Sequence, residues 1–524
     1  MLREKLFPSP LRIMCSLLAG TFLLVITLVS CDSATENAEN GTEPAVSIIP
    51  YPASVTMKGA GIKLTQPISA STEDEELLPC LELLSKNIAS ITGQGLDIIS
   101  GKKSGADIYF KLNANLEESQ YKIKISKSIS IEGGSYGSLI NASYSLLQVL
   151  ELENNQIKFP GLVIEDSPDS EYRGLMIDLA RNWHDVPEIL KLIDLAAYYK
   201  LNYVQLHFTD YQSYTLPSKH LPLLSTIDRH YSFDQLEEIN AYALQRGIYI
   251  IPELEMPGHA KAMTDAYPEI FGIKDISENP YAINMGKEEV YESLEILISE
   301  LCEVFSESPY FHIGGDEAIY HMLDKDPDIQ AYMLKENLGL DIHELYRHFV
   351  VRANEIVKKQ GKQMCVWEGF RRKGTVEIPK DIIVFEYESA FYLPGDLVDD
   401  GYTVVNASWK PLYVVNEKKW SPEYIYNWNI WRWENWFHKV PSYTPIQLEP
   451  ASNIIGGQMC AWEQKQELEF PSLRQRVAAF SERIWEISEK KEFSHFDKRL
   501  TVTDKLLSKL ANDSRQDTVA AFDK

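Results

Sequence analysis

The segment Tyr310-Phe311-His312-Ile313-Gly314-Gly315-Asp316-Glu317 ends an apolar run in two adjacent carboxylates. On a regular strand successive side chains point to opposite faces, so Asp316 and Glu317 share a site only where pairing has stopped, which Gly314 and Gly315 permit. Two carboxylates in one cavity are equipment for acid and base chemistry. Ordinary retaining glycosidases place an acid and a nucleophile about 5–5.5 Å apart across the scissile bond, which sequence neighbours cannot easily do. If Glu317 is the acid, the nucleophile comes from elsewhere, and a sugar with a 2-acetamido group carries its own carbonyl oxygen. The competing reading of the pair is a solvated acidic loop.

These residues need a scaffold, and the rhythm of the chain supplies one. After Ser167-Pro168-Asp169, strands are predicted near Arg173–Asp178, Tyr203–Phe208, Tyr249–Glu253, Tyr310–Gly314, Gln363–Trp367, Ile382–Tyr387, Tyr402–Asn406 and Ile454–Cys460. Ile189, Leu192, Ile193, Ala196 and Ala197 make one apolar helical stripe, while Glu188, Lys191 and Asp194 face water. Helical patterns follow at 232–246, 288–306, 342–359 and 471–487. Eight strands alternating with helices predict an α/β fold, a (β/α)8 TIM barrel over 167–524, with an open doubly wound sheet as the competitor. In a barrel the chemistry sits at the carboxyl ends of the strands, where Asp316 and Glu317 fall, and where Trp367, Tyr387 and Trp462 end strands five, six and eight. Residues 48–166 alternate short strands (Ile62–Leu64, Asp107–Leu112, Tyr121–Ile125, Ile129–Glu132) with helical patterns at Glu75–Ile91 and Ser135–Glu151, and predict a small α+β domain.

The chain of 524 residues carries 51 Lys+Arg against 76 Asp+Glu, a net charge of −25 that repels polyanions and argues against a nucleic-acid partner. Its six cysteines show neither zinc-ligand spacing nor a disulfide framework, and the chain is expected to work without metal or cofactor. Arg3, Lys5 and Arg12 precede an apolar run from Ile13 to Val29 that ends in Leu28-Val29-Ser30-Cys31. This pattern is an export signal, and its end resembles the bacterial lipobox. Residues 1–30 are then a lipoprotein signal peptide, Cys31 the lipidated first residue of the mature chain, and 31–47 a flexible tether. A plain signal or an uncleaved anchor is the alternative. The resulting expectation is a protein of the bacterial cell envelope, held to a membrane by its N-terminal lipid alone.

His312-Ile313-Gly314-Gly315-Asp316-Glu317 resembles the signature of glycoside hydrolase family 20, the β-N-acetylhexosaminidases. The likeness continues through Tyr172-Arg173-Gly174 with Asp178 and Arg181, Leu206-His207-Phe208-Thr209-Asp210, and Ile251-Pro252-Glu253-Leu254-Glu255-Met256-Pro257-Gly258-His259. It extends to Trp367, Tyr413, Gly456-Gly457-Gln458-Met459-Cys460-Ala461-Trp462 and Ser481-Glu482-Arg483-Ile484-Trp485. The resemblance implies a retaining exo-β-N-acetylhexosaminidase acting on a glycan with terminal N-acetylhexosamine through an oxazolinium intermediate. It implies Glu317 as general acid and base, and Asp316 as the group that orients the acetamido substituent and stabilises the cation. Tyr413 would bond the acetamido oxygen, Arg173 would hold sugar hydroxyls, Asp210 and His259 would support Glu317, and Trp367, Tyr387 and Trp462 would cage the methyl group. A neighbouring anion is expected to raise the pKa of Glu317. Arg173 as a structural ion pair and His259 as a turn cap are the plainer readings.

The chain departs from the family pattern in three places. Ser213-Tyr214-Thr215 follows the second-strand acid in place of Gly-Trp-Arg, Tyr413-Val414-Val415 lacks the acid of Tyr-x-Asp, and Trp462-Glu463-Gln464 lacks that of Trp-x-Glu. Chemistry at C1 and C2 looks intact, while recognition around O4 and O6 departs from the family pattern. Trp420, Trp428, Trp431, Trp433 and Trp436 crowd one segment that either stacks on further sugars or packs on itself. Rival functions are a family 20 relative for a 6-sulfated or disaccharide unit, and a non-catalytic glycan-binding lipoprotein.

Overall fold

Eight parallel strands pair in chain order: Tyr172–Asp178, Tyr203–His207, Tyr249–Glu253, Tyr310–His312, Gln363–Trp367, Ile383–Glu386, Thr403–Asn406 and Ile454–Ala461. The first also pairs with the eighth, Tyr172 opposite Gly456 and Met176 opposite Cys460. That closure decides between the two candidate architectures, because an open sheet leaves its first and last strands unpaired. This computed structural model describes residues 44–101, 105–273, 282–318, 323–416, 418–488 and 491–523. The expected signal peptide, Cys31 and the tether up to residue 43 lie outside the described residues.

The strands were legible because both of their faces are covered, so they read as nearly unbroken apolar runs. Helices wrap the outside. Val186–Tyr198 buries the stripe of Ile189, Leu192, Ile193, Ala196 and Ala197, and Phe233–Leu244, Glu288–Val304, Ile342–Lys359 and Gln466–Trp485 follow strands two, three, four and eight. A last helix, Phe493–Leu510, follows no strand. Its Arg499 donates to Glu482 at 2.8 Å and to the carbonyl of Ile48 at 2.7 Å, tying the C-terminus to the start of the described chain.

The small domain is a mixed seven-stranded sheet in the order Ser54–Met57, Leu162–Asp166, Tyr121–Ile125, Ile129–Gly133, Ile108–Leu112, Ser69–Thr72, Asp97–Ser100, carrying helices Leu78–Thr92 and Tyr136–Gln148. It meets the amino-terminal end of the barrel through buried polar groups. Lys200 Nζ lies 2.8 Å from the Tyr121 hydroxyl and 3.5 Å from Asp166, and Trp485 Nε1 donates to Asp166 at 3.0 Å. Among the described residues no helix is long and apolar enough to cross a membrane. Cys80, Cys302, Cys365 and Cys460 are buried and unpaired.

Candidate active site

Barrel strand four keeps its backbone bonds to strand five as far as the Gly314 carbonyl, which accepts from the Trp367 N–H at 2.8 Å, and the chain turns through Gly314 at φ +70° and Gly315 at φ +101°. Both glycines are required by close approach as well as by φ. A Cβ on Gly314 would stand 1.9 Å from the Glu255 carboxylate, and one on Gly315 would stand 2.5 Å from Val366 Cγ2. The Gly315 N–H donates to Glu255 at 2.9 Å, and the Tyr346 hydroxyl donates to the Gly315 carbonyl. The turn therefore presents Asp316 and Glu317 together at the carboxyl end of the barrel. His259, Glu317, Ser389 and Glu463, all non-glycine residues at positive φ, gather at this same end, and backbone strain of this kind concentrates at functional sites.

A chain of charged groups runs from the barrel interior to Glu317. Glu253 Oε2 lies 2.8 Å from His207 Nδ1, His207 Nε2 lies 2.9 Å from Asp210 Oδ2, Asp210 Oδ1 lies 3.3 Å from His259 Nδ1, and His259 Nε2 lies 3.3 Å from Glu317 Oε2. Burial opposes charge on both imidazoles, but the flanking carboxylates prevail and raise His207 to about 10 and His259 to about 11. Asp210, although buried, is held well below the usual carboxylate range by the two histidines and Arg181. The nearest strong influence on Glu317 is thus a cation. Its pKa is lowered, first by the bond with His259, and the expectation that a neighbouring anion raises it is corrected. Asp316 moves the other way, raised chiefly by burial. His207, Glu253 and Glu255 bring possible metal-ligand atoms within 4.8 Å of one another, but a protonated His207 spends both ring nitrogens on Glu253 and Asp210 and offers a metal no lone pair.

Beside the acids stand four aromatic rings from the ends of strands five, six and eight and the short strand Tyr413–Val414. Trp367 is 5.9 Å from Tyr387, Tyr387 is 6.1 Å from Tyr413 and nearly parallel to it, Tyr413 is 6.0 Å from Trp462, and Trp462 is 6.0 Å from Trp367. The four centroids close a ring. Trp367 is fixed by its Nε1 donating to Glu253 at 2.7 Å, so cage and charge chain share one buried carboxylate. Burial, with Asp316 adding to it, pushes the hydroxyls of Tyr387 and Tyr413 well above their ordinary range and keeps them neutral donors.

Residues 171–488 match the catalytic domain of glycosyl hydrolase family 20, and residues 45–167 match domain 2 of the same family. The chain belongs to glycosyl hydrolase family 20. It is 31% identical over 314 residues to a β-hexosaminidase of Vibrio furnissii, covering 54% of this chain and 51% of that protein. It is 28% identical over 377 residues to a β-hexosaminidase of Porphyromonas gingivalis, covering 66% and 48%. The chain spans about half the length of these curated relatives. Among solved structures it resembles a family 20 exo-β-N-acetylglucosaminidase from Vibrio harveyi in complex with N-acetylglucosamine, with a TM-score of 0.77 at 25% identity over 92% of this chain and 81% of that one.

Against that family pattern one sequence assignment changes. Arg173 is the second residue of strand one, at the amino-terminal end of the barrel. Its guanidinium donates to the carbonyls of Ser170 at 2.7 Å and Lys200 at 3.0 Å and lies over Trp485 at 5.1 Å. It is a structural residue facing the small domain and cannot hold a sugar at the other end. Arg181, three residues beyond that strand, stands at the site: 2.8 Å from Asp210, 3.1 Å from Asp178 and over the Trp462 ring at 5.0 Å. His207, Glu253 and Glu255 also belong to the site. They stand within the quoted motifs, but nothing in their spacing distinguishes a charge relay from core.

The departures resolve in an unexpected way. Gln464 is buried and turned inward, its amide donating to the carbonyls of Trp462 and Val414. Glu463, at φ +58°, faces outward instead, with Oε1 4.0 Å from Arg181 Nε and its own N–H on Asp178 at 3.1 Å. Thr215 bonds the Phe208 carbonyl and Ser213 that of Ala180, so this stretch shapes a turn. Of the clustered tryptophans, Trp420, Trp428 and Trp433 are buried, and only Trp436 among them is exposed, at 38%. The segment chiefly packs on itself and on strand seven, where the Asn406 amide donates to the carbonyls of Ile430 and Arg432.

Proposed function

We propose that this chain is a retaining exo-β-N-acetylhexosaminidase that uses the acetamido group of its own substrate as nucleophile. The observation that carries the reading is the ring of Trp367, Tyr387, Tyr413 and Trp462 set beside Asp316 and Glu317: four aromatic faces suited to a methyl group, next to an acid. In the first step the acetamido carbonyl oxygen attacks C1, the bond from C1 to the leaving oxygen breaks, and Glu317 gives that oxygen its proton. Asp316 balances the positive charge that develops on the acetamido nitrogen, and Tyr413 bonds its oxygen. In the second step the Glu317 carboxylate takes a proton from water, whose oxygen attacks C1 and reopens the ring. Two inversions give retention. His259 stabilises the carboxylate that Glu317 becomes, which makes Glu317 a stronger acid. Substrate must cover Glu317, whose side chain is 59% exposed, and the lost water favours its protonated form on binding.

Release of aryl alcohol from paired aryl β-glycosides with and without the 2-acetamido group tests this reading. The expected result is turnover of the acetamido member alone; comparable turnover of both sinks it. A 6-sulfated substrate fits the mouth poorly, because Asp316, Glu317, Glu388 and Glu463 gather there while Arg181 and His259 are each held by carboxylates. The leader of residues 1–30, with Cys31 directly after it, supports an envelope lipoprotein. Labelling cells with a fatty acid that carries an alkyne is expected to mark the protein and Cys31→Ser to lose the mark, and a mark that survives Cys31→Ser would contradict lipidation there.

A further inference from the structure

The end of the barrel away from Asp316 and Glu317 has polar groups of its own left over. A cavity of about 510 Å³ opens there between the two domains, walled by Tyr136 and Ser138 of the small domain and by Tyr203 and Tyr249, the first residues of strands two and three. Arg173 and Ser170 line it from within, only 5% and 3% exposed. Two nitrogens of Arg173 are held, Nε by the Lys200 carbonyl at 3.0 Å and Nη1 by that of Ser170 at 2.7 Å, but Nη2 donates to nothing and no carboxylate pairs with the guanidinium among the described residues. The Ser170 hydroxyl has no partner either among them. Buried polar groups are nearly always paired, and a buried cation without an anion is costly, so both point to a ligand. A second hollow of about 310 Å³ shares Asp169, Ser170 and Glu171 with the first and is lined by Trp431, whose Nε1 also lacks an acceptor among the described residues.

The chemistry of the lining selects the ligand. Glu117, Glu118 and Glu171 stand exposed at the rim without an ion pair among the described residues, so a free anion is repelled before it reaches Arg173, and a cation that suits the rim is repelled by the guanidinium within. A hydroxyl suits both, accepting from Arg173 and donating to a carboxylate. The walls call for flat apolar faces: Tyr249 is 39% exposed, and Tyr203, 6.0 Å from it, is stacked on Tyr172 at 4.8 Å. Pyranose rings offer both, hydroxyls at the edge and C–H groups on the faces, and the cavity falls within the range of small-molecule sites, about 300–1,000 Å³, which favour domain boundaries. We infer that this cavity is a non-catalytic saccharide-binding site that takes uncharged pyranose units and holds a glycan at the end of the barrel opposite Asp316 and Glu317. Such a second foothold raises the effective concentration of a long glycan at the protein without touching the chemistry.

Calorimetric titration of the full chain with cellotriose, maltotriose and β-1,4-mannotriose tests this, because none of them carries the 2-acetamido group on which the proposed activity depends. At least one is expected to bind one to one with a Kd of about 1 mM or tighter. Tyr249→Ala and Arg173→Lys should each weaken it about 5-fold or more, the first by removing a stacking face and the second by removing the guanidinium fork, while Tyr249→Ala leaves kcat/KM for an aryl β-N-acetylglucosaminide unchanged. Tyr249 is exposed and gives the test a folded variant should Arg173→Lys fail to fold. Binding of none of the three, or binding that survives Tyr249→Ala, overturns the inference. Sulfate that binds as tightly and is lost in Arg173→Lys would make the cavity an anion site and overturn it too. A chain that binds a trisaccharide here but does not cleave the aryl glycoside would strike the proposed function and leave this inference standing.

Discussion

Glu317 and His259 set the acid strength of the site between them. Glu317→Gln should leave the fold and substrate binding in place and cost about 10²–10⁴-fold in turnover of a disaccharide, whose leaving group needs a proton. An aryl leaving group needs less help, so single-turnover cleavage of a nitrophenyl substrate should fall far less; equal losses on both would remove Glu317 from the acid role. His259→Gln addresses the same proton through pH. In the free protein Glu317 is held below the ordinary carboxyl range by His259, and in the proposed role the productive form is protonated, so kcat/KM is expected to fall as pH rises above that depressed value. Removing the cation lets the pKa climb towards the ordinary value of about 4.3, and the basic limb of the profile should move to higher pH. A limb that stays in place would mean that His259 does not act through Glu317.

The turn after strand four and the charge chain behind it depend on elements fitting closely. Gly314→Ala puts a methyl group into the Glu255 carboxylate, so it should lose soluble protein or at least about 10²-fold in activity, whereas Gly401→Ala, also at positive φ but with open space around it, should fold and turn over. Similar behaviour of the two would show that the approach of Glu255 is not what requires glycine. His207 gives the strands a pH signature. Its folded pKa of about 10 exceeds the ordinary value of about 6.5, so the stability it contributes is fully present below about pH 6.5 and is lost as pH rises through about 10. The difference in unfolding free energy between wild type and His207→Gln should therefore shrink from pH 6.5 to pH 10, which urea titrations can follow. Elements of this kind were legible in the sequence to unequal degrees. Barrel strands announce themselves by apolar runs, but Ser69–Thr72 is fully buried with small polar residues and carries no such signal, and Phe493–Leu510 follows no strand that would call for a helix. The two arginines of the first motif show the same limit at the site. Strand direction places Arg173 at the start of the strand and Arg181 beyond its end, and only the latter stands at the end that carries Asp316 and Glu317. Gln464 and Glu463 exchange inside and outside through one left-handed residue, which no pattern of residue types reveals.

At the scale of the whole molecule the small domain packs against the end of the barrel opposite the site. Lys200, buried against Tyr121, Asp166 and the Trp485 ring, has its pKa lowered by burial to about 8 despite Asp166. Lys200→Met leaves Asp166 with less compensation and should cost about 3–5 kcal/mol in unfolding free energy by urea titration, while kcat of the folded protein stays unchanged because the chemistry lies at the far end. A loss of kcat without loss of stability would contradict that division of labour. The barrel instead brings Asp316, Glu317 and the four rings together at its other end, and the proposal that the substrate's acetamido group is the nucleophile there can be measured directly. In a series of aryl glycosides bearing N-acetyl, N-fluoroacetyl, N-difluoroacetyl and N-trifluoroacetyl groups, each fluorine weakens the carbonyl oxygen while barely changing its size. The account predicts that kcat falls steeply along the series, by about 10²-fold or more from first to last. A flat series, with a glycosyl ester found on an aspartate or glutamate by mass spectrometry, would contradict it.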